Sequence, residues 1–413
     1  MRFLFNWHGI GTGDRPEGPE ALRGVIEKLQ GAEAPAVAWE SEILPARLAD
    51  YAPEWMDQLC FSGRIAWGKL TPYAGEANAP ASLRNSPISI CLREDLPYLL
   101  EPAVAPVPSP GSGPGLRVDP TEAAPTLSNE AEKVLAQLHQ RGALFYHDLT
   151  KYCNLLASQV EQGLAELVAK GRVSADGFTG LRALLVPTSK RTAMKERRSR
   201  RGSNMPFSLE QAGRWWLFDA TENTPSAQTG SKGSTAAIAR TEELARILLL
   251  RYGVIFRKLV QRERCAPPWR DLLKVLRRME DRGELRGGRF VSGVYGEQFA
   301  LPNAIPLLRA QQKPPEPSGT SDEGDAGYVV LNAADPLNLT GVITPGDRLA
   351  ARYNDRILFR QGVPIAVHDG EDLRWLEKPR QDMDAHQERE LVTQRLRRQM
   401  PERLRAFYGK GIG

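Results

Sequence analysis

The residues with the clearest chemical capacity are cations spaced along one helical face. In 269–282, WRDLLKVLRRMEDR, the side chains of Trp269, Leu272, Leu273, Leu276 and Met279 recur at the i, i+3, i+4, i+7 spacing of an apolar face. Arg270, Lys274, Arg277 and Arg278 lie opposite, and Arg289 follows in the next segment. Guanidinium and ammonium groups presented side by side bind phosphate oxygens, so the chemistry these residues point to is contact with a nucleic-acid backbone. A solvated outer face has the same pattern, and both readings stand on spacing alone. A second basic cluster, SKRTAMKERRSRRGSNMPF, carries Lys190, Arg191, Lys195, Arg197, Arg198, Arg200 and Arg201 against the single acid Glu196. It reads equally as a solvated basic linker and as a phosphate-contacting segment through Arg197, Arg198, Arg200 and Arg201.

Bond-breaking chemistry is harder to locate. Excision of a base requires a carboxylate or amide able to position water beside a flipped nucleotide. Asp335, Asp347, Asp355 and Asp369 are of the right type, as are Glu297 and Gln298, but no spacing selects one, and the catalytic residue stays unknown. There is no GxxxxGK[ST] loop, GxSxG elbow, HExxH or DExx-type box, so no ATP motor is expected in this chain. Cys60, Cys91, Cys153 and Cys265 are far apart and have no metal-ligand spacing with the histidines. Free thiols, no metal and no cofactor are therefore expected. The net charge of +5, from 55 basic against 50 acidic residues, permits an anionic partner without establishing one. No apolar run approaches a membrane span and the N-terminus lacks a signal-peptide layout, so no membrane partner and a cytoplasmic location are expected.

The elements that must position the cations follow a repeated order. Gly283 stops the helix of 269–282, and GGRFV and EQFALP around SGVYG read as a hairpin. Helix, stop, strand, Gly-tipped turn and strand make up the second half of a winged helix. The layout Leu59-x3-Gly63-Arg64-Ile65 recurs as Leu167-x3-Gly171-Arg172-Val173 and Met279-x3-Gly283-Glu284-Leu285. These copies predict tandem modules in an α+β chain of 413 residues. A winged-helix-like module is expected over 1–101, a Pro/Gly/Ser linker over 102–126 and a second module over 127–188. A basic linker with a strand and loop then occupies 189–235, a winged helix with the basic third helix 236–311, and a linker 312–326. A small β-rich, barrel-like module with a charged terminal helix fills 327–413. Within these, residues 3–7 read as an extended apolar run, 34–51 as a helix, and 172–187 as the hairpin closing the second module. Trp7, Trp39 and Trp67 read as core, and Trp215 and Trp216 as a strand pair with one ring inside. The counterparts of the basic helix carry Gln159, Glu161, Gln162 and Glu166 in the second module and Glu54 and Asp57 in the first, which suits neither to a phosphate backbone.

Several longer segments carry a resemblance. AWESEILPARLADYAPEWMDQLCFSGRIAWGKL, PISICLRED, GRWWLF, the stretch from APPWRDLL to EQFALP, and NAADPLNLTGVITPG are similar to the C-terminal region of bacterial large helicase-related proteins, Lhr. The resemblance implies a superfamily 2 DNA helicase whose motor lies upstream or is separately encoded. It also implies tandem winged helices with a terminal module, similar to AlkZ-like winged-helix DNA glycosylases, and links to DNA repair, uracil-DNA glycosylase activity and oligomerisation. The chain would then begin after the motor, as a truncated product, a separately encoded half or an excised segment. The family's candidate aspartate lies very near the C-terminus, where GKGIG has no carboxylate, so the resemblance assigns no catalytic residue. The leading expectation is a nucleic-acid-binding accessory region whose partners are single- or double-stranded DNA and helicase motor domains. A DNA glycosylase is the alternative, and a homo-oligomerising scaffold the second.

Overall fold

The glycine repeat is a repeated backbone device. In the computed structural model the glycines adopt left-handed backbone, φ 72° at Gly63, 71° at Gly171 and 79° at Gly283. The following residue donates its amide back to a helix carbonyl: Arg64 to Leu59 at 3.1 Å, Arg172 to Leu167 at 2.8 Å and Glu284 to Met279 at 2.9 Å. Each glycine amide donates one position further along, to Cys60, Val168 and Glu280. This paired closure satisfies end carbonyls that a helix otherwise leaves bare and turns the chain into a strand. The structure describes residues 1–11, 14–70, 83–100, 127–186, 208–218, 231–311, 327–369 and 372–377.

Each device sits at the same place in a winged helix. The first module has α1 (Arg2–Trp7), α2 (Pro19–Leu29), β1 (Ala34–Pro35), a short α3 (Ala36–Ala38) that widens into a π turn at Trp39–Ile43, and α4 (Pro53–Phe61). It closes with β2 (Ile65–Gly68), β3 (Pro87–Leu92) and α5 (Leu96–Leu100). The second runs α6 (Asn129–Arg141), β4 (Leu144–Phe145), α7 (Tyr146–Cys153), α8 (Ala157–Ala169), β5 (Val173–Ala175), α9 (Thr179–Leu185) and β6 (Arg214–Leu217). The third runs α10 (Ser231–Tyr252), β7 (Val254–Phe256), α11 (Arg257–Val260), α12 (Trp269–Asp281), β8 (Arg286–Gly288), β9 (Gln298–Ala300) and α13 (Ala304–Ala310). The three-stranded sheets are antiparallel, ordered β1-β3-β2, β4-β6-β5 and β7-β9-β8, with the last strand central each time.

A fourth sheet follows, β10 (Tyr328–Asn332), β11 (Arg356–Arg360), β12 (Val363–His368) and β13 (Leu373–Trp375), in sequential antiparallel order. Among the described residues this is an open meander, so the barrel-like expectation is corrected. Each strand pairs only with its chain neighbours, and nothing joins β10 to β13. Gln361 and Gly362, at φ 50° and 81°, form the tight turn between β11 and β12. The expected terminal helix and the basic cluster of 190–201 lie outside the described residues.

Three further expectations are overturned by tertiary contacts. Residues 3–7 form helix α1, whose Phe3 and Trp7 rings stack at 5.7 Å one turn apart, and Gly9 closes it in left-handed backbone. Aromatic-rich runs favour strands by local preference, but here packing decides. The 34–51 stretch begins as an edge strand on β3 before its helical turns. The 172–187 hairpin does not form, because 179–185 is helical and the partner of β5 is β6, brought in from beyond residues 187–207.

The cores are fused in pairs. Leu22, Trp39, Trp67, Leu164, Phe178 and Trp215 belong to one cluster spanning the first and second modules. Leu4, Phe5, Leu248, Leu276, Phe299 and Phe359 belong to another that joins α1, the third module and the last sheet. The Phe5 ring meets Phe359 edge-on at 5.0 Å, Trp7 Nε1 donates to Leu250 O at 2.7 Å, and Lys28 Nζ donates to Trp7 O at 2.6 Å. Trp7, Trp39 and Trp67 are buried as expected, and of the tryptophan pair Trp215 is buried while Trp216 is partly exposed beneath Arg93.

Candidate nucleic-acid interface

Helix α12 is placed by its apolar face. Leu272, Val275, Leu276 and Met279 are buried, and Leu273 and Trp269 pack against the same core. That leaves Arg270, Lys274, Arg277 and Arg278 exposed along the outside. The helix begins after Pro267 and Pro268; neither has an amide to leave unsatisfied at the helix start, and Pro268 O accepts from the Asp271 and Leu272 amides. The preceding α11 is only Arg257–Val260; Leu259 and Val260 are buried, while Arg257 and Lys258 are exposed. Together α11 and α12 are the two helices that a winged helix lays against nucleic acid, with the β8–β9 wing beside them.

The cations on this face divide by partner. Lys274 Nζ lies 3.1 Å from Asp271 Oδ1, and Arg277 Nη2 holds both carboxylate oxygens of Glu297 at 3.0 Å. Arg282 pairs with Glu242 and Glu284. Arg257, Lys258, Arg270, Arg278 and Arg289 have no acidic partner among the described residues and are exposed. The structure thus brings Arg270, Arg278 and Arg289 into one module as free cations, and turns Arg277 into a brace between α12 and the wing. Spacing alone missed Arg257 and Lys258, because α11 is too short for a periodic pattern. The signal that marks them is the apolar pair Leu259–Val260, set off from the end of strand β7 by two residues. Arg197, Arg198, Arg200 and Arg201 lie outside the described residues.

The wing is held by an amide. Gln298 is buried at the start of β9, where its Oε1 accepts from the amides of Phe290 and Val291 at 2.8 Å each. Its Nε2 donates to Val291 O at 3.0 Å and Val294 O at 3.3 Å. All four bonds go to the loop between β8 and β9, so Gln298 shapes the wing. The neighbouring carboxylate, Glu297, is taken by Arg277.

The remaining carboxylates are distributed similarly. Asp335 is buried against Arg47 and accepts both guanidinium nitrogens, at 2.8 and 2.9 Å. Asp347 is exposed in the loop before β11. Asp355 is partly buried just before β11; burial pushes its carboxyl above the ordinary range, with Arg352 opposing and Asp369 adding to the rise, and Arg374 and His368 opposing it more weakly. Asp369 accepts from the amide of Asp372 at 2.9 Å. The four cysteines are free, and burial raises the thiols of Cys60, Cys91 and Cys265, the last to about 11. No group of His, Cys, Asp and Glu among the described residues is arranged to hold a metal ion. No described helix is long and apolar enough to cross a membrane.

The sister helices differ for a structural reason. Asp57 of α4 faces the second module, accepting from the Thr179 amide at 2.9 Å and hydroxyl at 3.0 Å and pairing with Arg182. Glu166 of α8 holds Lys170 at 2.8 Å and the Ser128 hydroxyl at 2.5 Å. Asp57 and Glu166 thus serve contacts within the protein, whereas α12 keeps free cations outside.

Comparison with known proteins agrees with this architecture. Residues 1–92 and 234–320 each match a family model described as a winged-helix domain of large helicase-related protein. Both matched segments are winged-helix domains of the Lhr type. The second module lies between the two matched segments and has the same strand order. One relative, the Lhr helicase/probable uracil glycosylase of Mycolicibacterium smegmatis, is 27% identical over 393 residues. Another, the Lhr helicase/uracil glycosylase of Escherichia coli, is 29% identical over 394 residues. In both cases 91% of this chain is covered against 23% of the relative, so the chain spans about a quarter of their length.

Proposed function

We propose that this chain is a nucleic-acid-binding accessory region of an Lhr-type DNA helicase acting in cytoplasmic DNA repair, with DNA lying across α11, α12 and the wing of the third module. The observation that carries this reading is the set of exposed cations without acidic partners among the described residues, Arg257, Lys258, Arg270, Arg278 and Arg289, on a helix pair and wing fixed to one core. Charge reversal at Arg270, Arg278 and Arg289 together should weaken DNA binding and flatten its dependence on salt, by about 0.9 in the log–log slope for each duplex phosphate that is no longer neutralised. Filter binding or fluorescence anisotropy across salt concentrations measures both quantities. Unchanged affinity and slope would remove the third module from the interface. Neutralising Arg197, Arg198, Arg200 and Arg201 in a parallel variant tests the second basic cluster by the same slope.

The names of the two relatives support a second reading, excision of uracil from DNA. In the last module Asp355 has the disposition of an acid–base group, partly buried, with burial and then Asp369 raising its carboxyl, while Asp95 of the first module, also raised by burial, is held by Gln30 Nε2 at 2.9 Å. Asp335 and Glu297 are committed to ion pairs. Incubation with uracil-containing single- and double-stranded DNA, followed by alkaline cleavage, should give strand breaks that Asp355→Asn abolishes. Absence of abasic product at protein excess overturns the enzymatic reading and leaves the binding reading intact.

A further inference from the structure

The wing of the third module carries a side chain that folding does not explain. Tyr295 is 96% exposed, while its neighbours Val291 and Val294 pack against the core. An aromatic ring normally contributes by burying a large area, and a ring left bare on a floppy loop would be unremarkable. This loop is not floppy. The buried Gln298 amide directs both its acceptor bonds and both its donor bonds to Phe290, Val291 and Val294. Glu297, two residues beyond the ring, is tied by a two-oxygen pair to Arg277 of α12. Gly293 and Gly296 flank it in left-handed backbone, φ 75° and 94°, with open space where a Cβ would stand. The ring is thus presented at the end of a braced hairpin, in the same wing as the exposed Arg289.

We infer that Tyr295 is a base-stacking tip whose ligand is a nucleobase exposed where a duplex ends in a single strand. The inference rests on the reading of the third module as the DNA-binding one. Phosphates on α11 and α12 would place the duplex, and a preorganised ring beyond them meets a base face with little ordering cost. A duplex interior offers the tip no open base face, because every base there is already stacked. A single strand alone lacks the paired backbone that sets the tip in register. A junction satisfies both requirements, and inserted or stacked aromatic side chains engage unstacked steps in this way.

The test uses the whole 413-residue chain with Tyr295→Ala and Tyr295→Phe. Binding is measured to a forked duplex, a blunt duplex and a single strand of matched length, with 2-aminopurine as the first unpaired base of the fork. Wild type and Tyr295→Phe should bind the fork more tightly than the blunt duplex and quench the probe. Tyr295→Ala should lose about fivefold to tenfold on the fork, with little change on the blunt duplex, and leave the probe bright. Equal fork affinity and equal quenching in Tyr295→Ala would overturn the stacking role while leaving the cationic interface standing. A preference of the wild type for the single strand over the fork would overturn the junction assignment. No binding by the wild type to any of the three would overturn this inference and the proposed function together.

Discussion

Replacing Arg182 with alanine should cost the first and second modules about 3–5 kcal/mol of stability, the range for stripping one partner from a buried ion pair. Arg182 and Glu40 are 2% and 0% exposed. Arg182 Nε and Nη2 reach the two Glu40 oxygens at 2.7 and 2.8 Å, Nη2 also donates to Pro53 O at 2.9 Å, and Nη1 pairs with Asp57. Burial works against the guanidinium charge and the carboxylates outweigh it, so its pKa stands well above the ordinary value. Without Arg182 the Glu40 carboxylate would keep the Tyr51 hydroxyl at 2.5 Å but lose its guanidinium counter-charge while buried in the shared core. A domain's whole stability is about 5–15 kcal/mol, so the loss is large. Because several modules unfold, urea transitions should be followed through tryptophan fluorescence, with Trp39, Trp67 and Trp215 in the affected core. A double variant, Glu40→Gln with Arg182→Met, should recover much of the loss, since removing both charges relieves the buried one. A shift under about 1 kcal/mol in Arg182→Ala would mean that the pair is compensated elsewhere.

The same pair shows where sequence reading stops. Gly63, Gly171 and Gly283 were legible because a helix stop is local, written within six residues that bond to each other. The apolar face of α12 was legible because its period is set by one helix. Edge strands of two or three residues, such as Ala34–Pro35 and Leu144–Phe145, are too short to alternate, and only their partners make them strands. Strand β6 reads as part of a linker because its partners, β4 and β5, lie on the far side of the basic cluster. Charges were hardest to place. Glu40, Glu42 and Arg47 lie in a segment that reads only as a helix, yet their partners are Arg182, Arg356 and Asp335. On α12 the cations were legible, while the pairing of Arg277 with Glu297, 20 residues along, depended on the fold of the wing.

Asp335 is the second residue whose replacement should be severe, and the effect separates architecture from chemistry. Its type and place before a Pro–Leu–Asn turn suit a catalytic carboxylate, but both of its oxygens face Arg47, and Oδ1 also accepts from the Leu337 amide at 2.9 Å. Each side chain of the pair is 1% exposed. Beside it Arg356 reaches Glu42 at 2.7 Å, and the Ser41 and Tyr353 hydroxyls meet at 3.1 Å. The π turn of the first module is therefore the seat on which the last sheet rests. Asp335→Ala strands the buried Arg47 guanidinium and should destabilise this junction by about 3–5 kcal/mol. Amides of β10 and β11 should then exchange with deuterium faster, since the sheet opens without global unfolding. Asp335→Asn keeps the shape and one acceptor toward Arg47, so its exchange should be intermediate. If uracil excision is present, Asp335→Asn should retain it wherever the sheet stays docked, because a carboxylate that is 1% exposed and paired with Arg47 through both oxygens is shut away from the water it would have to activate. Loss of excision in Asp335→Asn with wild-type exchange would reverse that assignment and make Asp335 the catalytic carboxylate.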